Sequence, residues 1–286
     1  MNALISFNPV ADFFAFVRRP DAQRISASLK QKLLVLVVIL ALDILLAFAA
    51  NLLATSIESL LPIQSEHVAE EAEAEMLRFM QTIGVLVVPF LEELGFRLWL
   101  APNLFFFFIS FVLVTLQFAP VPFADLLMAS GLTESAPLVK IVFYLTIGAA
   151  ITLFFWLRDR QGHRYADFFR RYVAVYYYVS VLLFGFIHLT NYSNLNAWWY
   201  APILILPQLI GGFLFGYARI RLGFWYAVLA HMLANLLFTL GDGMNALFGT
   251  AGGIVWLAIL LLSSAIVMVM VFKKNPITIE MPLSQG

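Results

Sequence analysis

The segment Glu92-Glu93-Leu94-Gly95-Phe96-Arg97 sets two acids and a guanidinium inside an apolar run, Phe79 to Leu100, that reads as membrane-spanning. Ionisable groups carried into hydrocarbon are costly unless they are paired or face water, so these three side chains are candidates for chemistry. On a helix, Glu93 and Arg97 stand i,i+4 with the acid N-terminal, the favourable order for an ion pair, while Glu92 points about 100° away. One acid is therefore free to be structural while the other stays available. Two further apolar runs carry histidine. Phe184 and His188 share one helix face, and His231 and Asn235 share another. A single buried histidine is more commonly a satisfied hydrogen-bonding group than a catalyst, but three helices each contributing polar groups favour a common site. Acid, imidazole and carboxamide in a dry bundle are the parts needed to split an amide with water. A carboxylate and an imidazole can deprotonate the water, and an imidazole with a carboxamide can stabilise the oxyanion.

The elements that position these groups follow from composition. The chain has 286 residues, of which 62% are hydrophobic and 12% charged, far from the charged quarter of a soluble domain. It reads as an integral membrane protein. Its net charge is zero and its basic residues are dispersed, so neither a nucleic-acid partner nor a polybasic lipid anchor is indicated. There is no cysteine, which excludes a disulfide framework, a thiol nucleophile and a cysteine-rich metal site.

Eight runs have the length of a bilayer crossing, about 20 residues, or approach it: Leu33 to Ile57, Phe79 to Leu100, Leu104 to Phe118, Pro137 to Leu157, Tyr172 to Thr190, Tyr200 to Ile220, Leu222 to Leu240 and Gly252 to Phe272. With the N-terminus inside, all of the 17 lysines and arginines except Arg78 and Lys140 fall on the cytoplasmic side, as short inner loops require. The loop from Glu58 to Glu75 is acidic and lies outside. The expected architecture is an all-α polytopic bundle of eight transmembrane helices with both termini cytoplasmic. Residues 1–31 form an N-terminal cytoplasmic segment without signal-peptide features, with a short interfacial helix using Phe7, Phe13, Phe14 and Phe16. Residues 32–273 form the membrane domain and 274–286 a cytoplasmic tail.

Asp43 and Gln208 also fall inside spans and read as structural hydrogen-bonding groups, while Gly211, Gly212 and Gly216 should permit close helix approach. Tyr176, Tyr177 and Tyr178 read as an interfacial belt, opposite Trp198 and Trp199. A boundary near Val179 predicts that the His188 helix continues past Thr190, with Asn191 and Asn194 facing protein or water.

Glu-Glu-x-x-x-Arg, Phe-x-x-x-His and His-x-x-x-Asn, in this order on successive membrane helices, resemble the CAAX protease and bacteriocin-processing (CPBP, abortive-infection) family, which includes the type II CAAX prenyl endopeptidases. The resemblance covers about residues 80 to 240. It implies an intramembrane glutamic endopeptidase, opening toward the cytoplasm of a bacterial cell membrane, acting on a membrane-associated protein or peptide. Carried over by position, Glu92 with His188 would activate water, His231 with Asn235 would stabilise the oxyanion, and Glu93 with Arg97 would hold the motif helix, Phe184 completing the second motif. The first two motifs are widely separated here, and the intervening 104–157 region reads as an inserted helical hairpin that preserves the crossing direction of the His188 helix.

Three other functions compete with this one. A membrane scaffold or regulator, of the bacteriocin-immunity or signalling type, would use the polar cluster structurally. A zinc metalloprotease would ligate metal through the histidines and acids, but a His-Glu-x-x-His helix is absent, and no cofactor is expected. A proton-coupled transporter lacks the repeat symmetry and paired broken helices of that class.

Overall fold

The computed structural model describes residues 2–63, 66–67, 83–122, 124–131, 133–158, 164–193, 195–273 and 277–282. Its principal helices are α1 Pro9–Arg18, α2 Leu29–Leu60, α3 Val85–Phe96, α4 Leu104–Phe118, α5 Ala136–Arg158, α6 Arg164–Ile187, α7 Leu206–Arg221 and α8 Phe224–Lys273. Two short antiparallel ladders supplement the expected all-helical architecture. β1 Asn2–Phe7 pairs with β4 Ile277–Pro282, and β2 Glu66–His67 pairs with β3 Tyr192–Ser193. Four helical stretches among the described residues are long and apolar enough to cross a membrane, and a fifth arises from Trp198–Leu204 with Leu206–Arg221, bent by 45°. The chain is an integral membrane protein.

Local chemistry explains where the helices begin. Ser28 and Gln31 form a reciprocal capping box at α2, and the side chain of Asn8 accepts from the first amides of α1, with Pro9 at the first helical position. α1 is not an interfacial helix resting on its phenylalanines. Phe7, Phe13 and Phe16 are buried in the protein core, and of the expected four only Phe14 is exposed. Phe16 packs edge-on against Tyr177 and Phe13 against Tyr217. Arg221, at the end of α7, bonds Asp12 at 3.1 Å and Asp21 at 2.5 Å, fastening the N-terminal segment to the bundle.

Four span boundaries differ from the sequence expectation. The Phe79 to Leu100 run, whose residues 79–82 lie outside the described ones, stops being helical at Phe96. The cause is tertiary: the Phe96 carbonyl accepts from Ser180 Oγ and from Trp99 Nε1, so the helix end needs no further turn. The sixth run is broken at Ile205, because Pro207 offers no amide proton and crowds the carbonyl four residues earlier. The last two runs belong to one helical stretch folded at Gly249, whose φ of 67° and ψ of −171° suit glycine. Trp256 Nε1 donates to the Leu237 carbonyl across that fold. Finally, α6 ends at Ile187 and tightens into a 3₁₀ turn over His188–Asn191, rather than continuing as α-helix past Thr190. Asn194 lies outside the described residues.

The tyrosine triplet is core rather than belt. Tyr177 is fully buried and donates to the Phe213 carbonyl, and Tyr178 donates to Val17. This burial depends on the small residues of α7: a Cβ at Gly216 would meet the Tyr177 ring at 2.8 Å, and one at Gly212 would meet Val181 at 3.3 Å. α5 buries only Gly148, against α4, and α4 in turn packs on α3.

Gly216→Val drives a branched side chain into an aromatic ring with no room to retreat. It should destabilise the protein by about 1–3 kcal/mol or more, read as a lowered thermal unfolding midpoint in detergent.

Candidate active site

α3 presents its two acids differently. Glu93 and Arg97 have fully buried side chains with Nη1 and Oε1 3.4 Å apart, whereas the Glu92 side chain keeps 18% of its surface. The pairing expected from the i,i+4 spacing is present, and Glu92 is the acid turned toward open space. Glu93 does more than the spacing indicated. The same Oε1 lies 3.0 Å from His231 Nδ1, so one oxygen ties the first motif to the third. None of the Arg97 guanidinium nitrogens has a well-formed hydrogen bond among the described residues. Its charge is met by Glu93 and by the face of Phe184, whose centroid lies 3.7 Å from the guanidinium carbon. Phe184 also packs edge-on against His188 and His231, with centroids 4.7 and 5.5 Å away.

The two imidazoles flank Glu92. His188 Nε2 lies 3.9 Å from Oε1, and His231 Nε2 lies 3.5 Å from Oε2. His188 Nδ1 is 2.7 Å from the Phe184 carbonyl. A carbonyl can only accept, so Nδ1 carries a proton and Nε2 is the ring atom turned toward Glu92. The 3.9 Å gap is too long for a direct hydrogen bond and suits one shared water. His231 is held from both ends, by Glu93 at Nδ1 and by the face of Phe215, stacked 4.6 Å away. With Nδ1 engaged by Glu93, Nε2 is the ring atom that faces Glu92 Oε2.

All four residues expected to be catalytic, Glu92, His188, His231 and Asn235, line one cavity of about 500 Å³. Phe184 also lines it, whereas Glu93 and Arg97 do not. Asp43 and Gln208, read from sequence as structural, line the same cavity, as do Gln117 of α4 and Asn191 of the 3₁₀ turn. Asp43 has only 4% of its surface exposed, and no hydrogen-bond or ion-pair partner is found for it among the described residues. Gln117 shows that α4 supplies part of the cavity wall. Among the described residues, no three histidine or acidic side chains are arranged to hold a metal ion.

Arg219 is the principal residue that sequence reading missed. It counted only as a basic residue near a loop, yet it is buried and donates from Nε to the Arg97 carbonyl at 2.9 Å and from Nη2 to Leu98 at 3.2 Å. It thus caps the helix that carries both acids, where a cation also suits the helix dipole. A usable signal existed: Gly212, Phe215 and Arg219 recur at i, i+3 and i+7 on one face of α7. Ser110 acts similarly from α4, donating to the Leu94 carbonyl and accepting from the Trp99 amide.

The family model described as type II CAAX prenyl endopeptidase Rce1-like matches residues 75–237, a stretch that holds all three motifs. No curated protein and no solved structure matches the chain.

Arg219→Gln removes the charged donor from the α3 terminus. It should cost about 1.5–3 kcal/mol of stability, measured as thermal unfolding in detergent, and Arg219→Lys should recover only part of the loss because one ammonium cannot reproduce the forked geometry.

Proposed function

This chain belongs to the type II CAAX prenyl endopeptidase Rce1-like family, and on that premise we propose that it is an intramembrane endopeptidase of the glutamic type. Membership indicates a CAAX-type peptidase set in the bilayer. The observation that carries the finer reading is the convergence of Glu92, His188, His231 and Asn235, from three separate helices, on one polar cavity.

In the proposed reaction a water shared by Glu92 and His188 Nε2 loses a proton to that pair as its oxygen attacks the carbonyl carbon of a peptide bond. The developing oxyanion receives hydrogen bonds from His231 Nε2 and the Asn235 carboxamide. Collapse of the tetrahedral intermediate breaks the C–N bond, and the proton held by Glu92 and His188 passes to the leaving amine. Glu93, Arg97 and Phe184 keep the partners in register, which matters because catalytic groups must be held near their productive geometry. We place eight crossings in the membrane with both termini cytoplasmic, a reading supported by the one-sided distribution of basic residues and by the β1–β4 ladder joining the chain ends. A scaffold that used the polar cluster only structurally would not need the ionisation of Glu92, and this separates the two readings.

Glu92→Gln and His188→Ala should each lower kcat/KM by about 10²–10⁴-fold on a membrane-tethered peptide in proteoliposomes, with membrane insertion intact. Undiminished cleavage by either variant rules the proposal out, and a cellular phenotype that survives Glu92→Gln favours the scaffold. Activity should also withstand removal of divalent metal by a chelator; loss of cleavage restored by zinc would instead assign the histidines to a metal centre.

A further inference from the structure

Two polar side chains line the cavity without entering the reaction proposed above. Asp43 of α2 keeps only 4% of its surface, and no hydrogen bond or ion pair among the described residues includes it. Gln208, in the first turn of α7, has its carboxamide oxygen buried with no hydrogen-bond partner among the described residues. The two helices meet here: a Cβ at Gly211, one turn on from Gln208, would stand 3.7 Å from Asp43 Oδ1. Buried polar groups that serve a fold are hydrogen-bonded, and these two acceptors lack the donors that a structural role would give them.

An acceptor left without a donor costs free energy in the empty protein, and the cost rises where hydrocarbon replaces water. Its retention is explained by a ligand that brings the donor. The length of the wall beside Asp43 indicates what kind. Asp43, Ala47 and Asn51 recur at i, i+4 and i+8 on one face of α2, and all three line the cavity, a stripe about 12 Å long. At about 3.3 Å per residue, that is the span of three to four extended residues. Ala47 and Gly211 have little or no side chain to hold a backbone at a distance.

An extended peptide has the matching needs. A chain that unwinds to present one bond to water loses its own hydrogen bonds, and inside a membrane bundle the protein must replace them. In the proposed reaction His231 and Asn235 supply donors for the scissile carbonyl. Asp43 and Gln208 offer acceptors for N–H groups, which recur along one edge of an extended chain at every second residue.

We propose that Asp43 and Gln208 form a substrate subsite that accepts hydrogen bonds from the backbone N–H groups of an extended segment flanking the scissile bond. This rests on the protease reading and adds to it two substrate-contacting residues that lie outside the three motifs. A subsite of this kind reads main chain, so it holds the segment in register whatever side chains it carries.

The test measures binding apart from cleavage. The full chain carrying Glu92→Gln, in nanodiscs, is titrated with a prenylated CAAX peptide and with forms of it N-methylated at one backbone amide at a time. One N-methyl group should weaken binding about 10-fold. Asp43→Leu on the same background should weaken binding of the unmethylated peptide by a similar factor and make that N-methyl group harmless. Gln208→Met should do the same at a second amide, by about 3- to 10-fold. Without peptide, each substitution should raise the unfolding midpoint by about 2–4 °C, because an orphaned acceptor is gone. A midpoint lowered by both Asp43→Leu and Asp43→Ala assigns the carboxyl to the fold and overturns the inference. Losses that multiply independently with every N-methyl group overturn it as well, as does a peptide that fails to bind. With Glu92 restored, a peptide that binds with this coupling yet is never cleaved refutes the protease reading while leaving the subsite standing.

Discussion

The site is built on one buried carboxylate oxygen. Glu93 Oε1 faces Arg97 Nη1 at 3.4 Å and His231 Nδ1 at 3.0 Å, so a single acceptor holds two motif helices together. In a bilayer the cost of misplacing such a group is higher than in water, because hydrocarbon offers no substitute donor. Arg97 in turn has few alternatives: it keeps its ion pair and rests on Phe184. The ring of Phe184 then borders both histidines. Spacing between Glu92 and the imidazoles is thus set in part by the contacts of Glu93, Arg97 and Phe184.

Supporting contacts extend this logic outward. The end of α3 is fixed by Arg219, Ser110, Ser180 and Trp99, all bonding backbone groups between Leu94 and Trp99. A helix end ordinarily leaves carbonyls for water to satisfy, and here side chains from three other helices take them. That arrangement frees Arg97 from helical continuation and lets it fold beneath the acids. The close approach of α6 and α7 at Gly212 and Gly216 brings Tyr177 and Phe184 into the same layer, so packing and chemistry share their small residues.

Much of this was legible in the sequence, for identifiable reasons. The Glu93–Arg97 pair follows from helical spacing, the apolar runs coincide with helices, and the three motifs converge as their shared polarity suggested. What escaped were features set by tertiary contacts. Nothing local to Phe96 shows that Ser180 and Trp99 will take its carbonyl. Tyr177 was misread because a tyrosine presents the same apolar body and polar tip whether it meets a headgroup or the Phe213 carbonyl. Arg219 looked like a charge in a cytoplasmic loop because basic residues mark such loops whether or not they also turn inward. The reversal between the last two runs was legible, since the glycine-rich stretch from Gly241 to Gly253 separates them, and the chain folds there at Gly249.

The ladder between Asn2–Phe7 and Ile277–Pro282 has a topological corollary. Segments that hydrogen-bond to each other along six residues cannot sit on opposite sides of a hydrocarbon slab about 30 Å thick. The polypeptide must therefore traverse the bilayer an even number of times, whatever the status of its short or bent members, and any variant that adds or deletes a single crossing would have to tear the clasp apart.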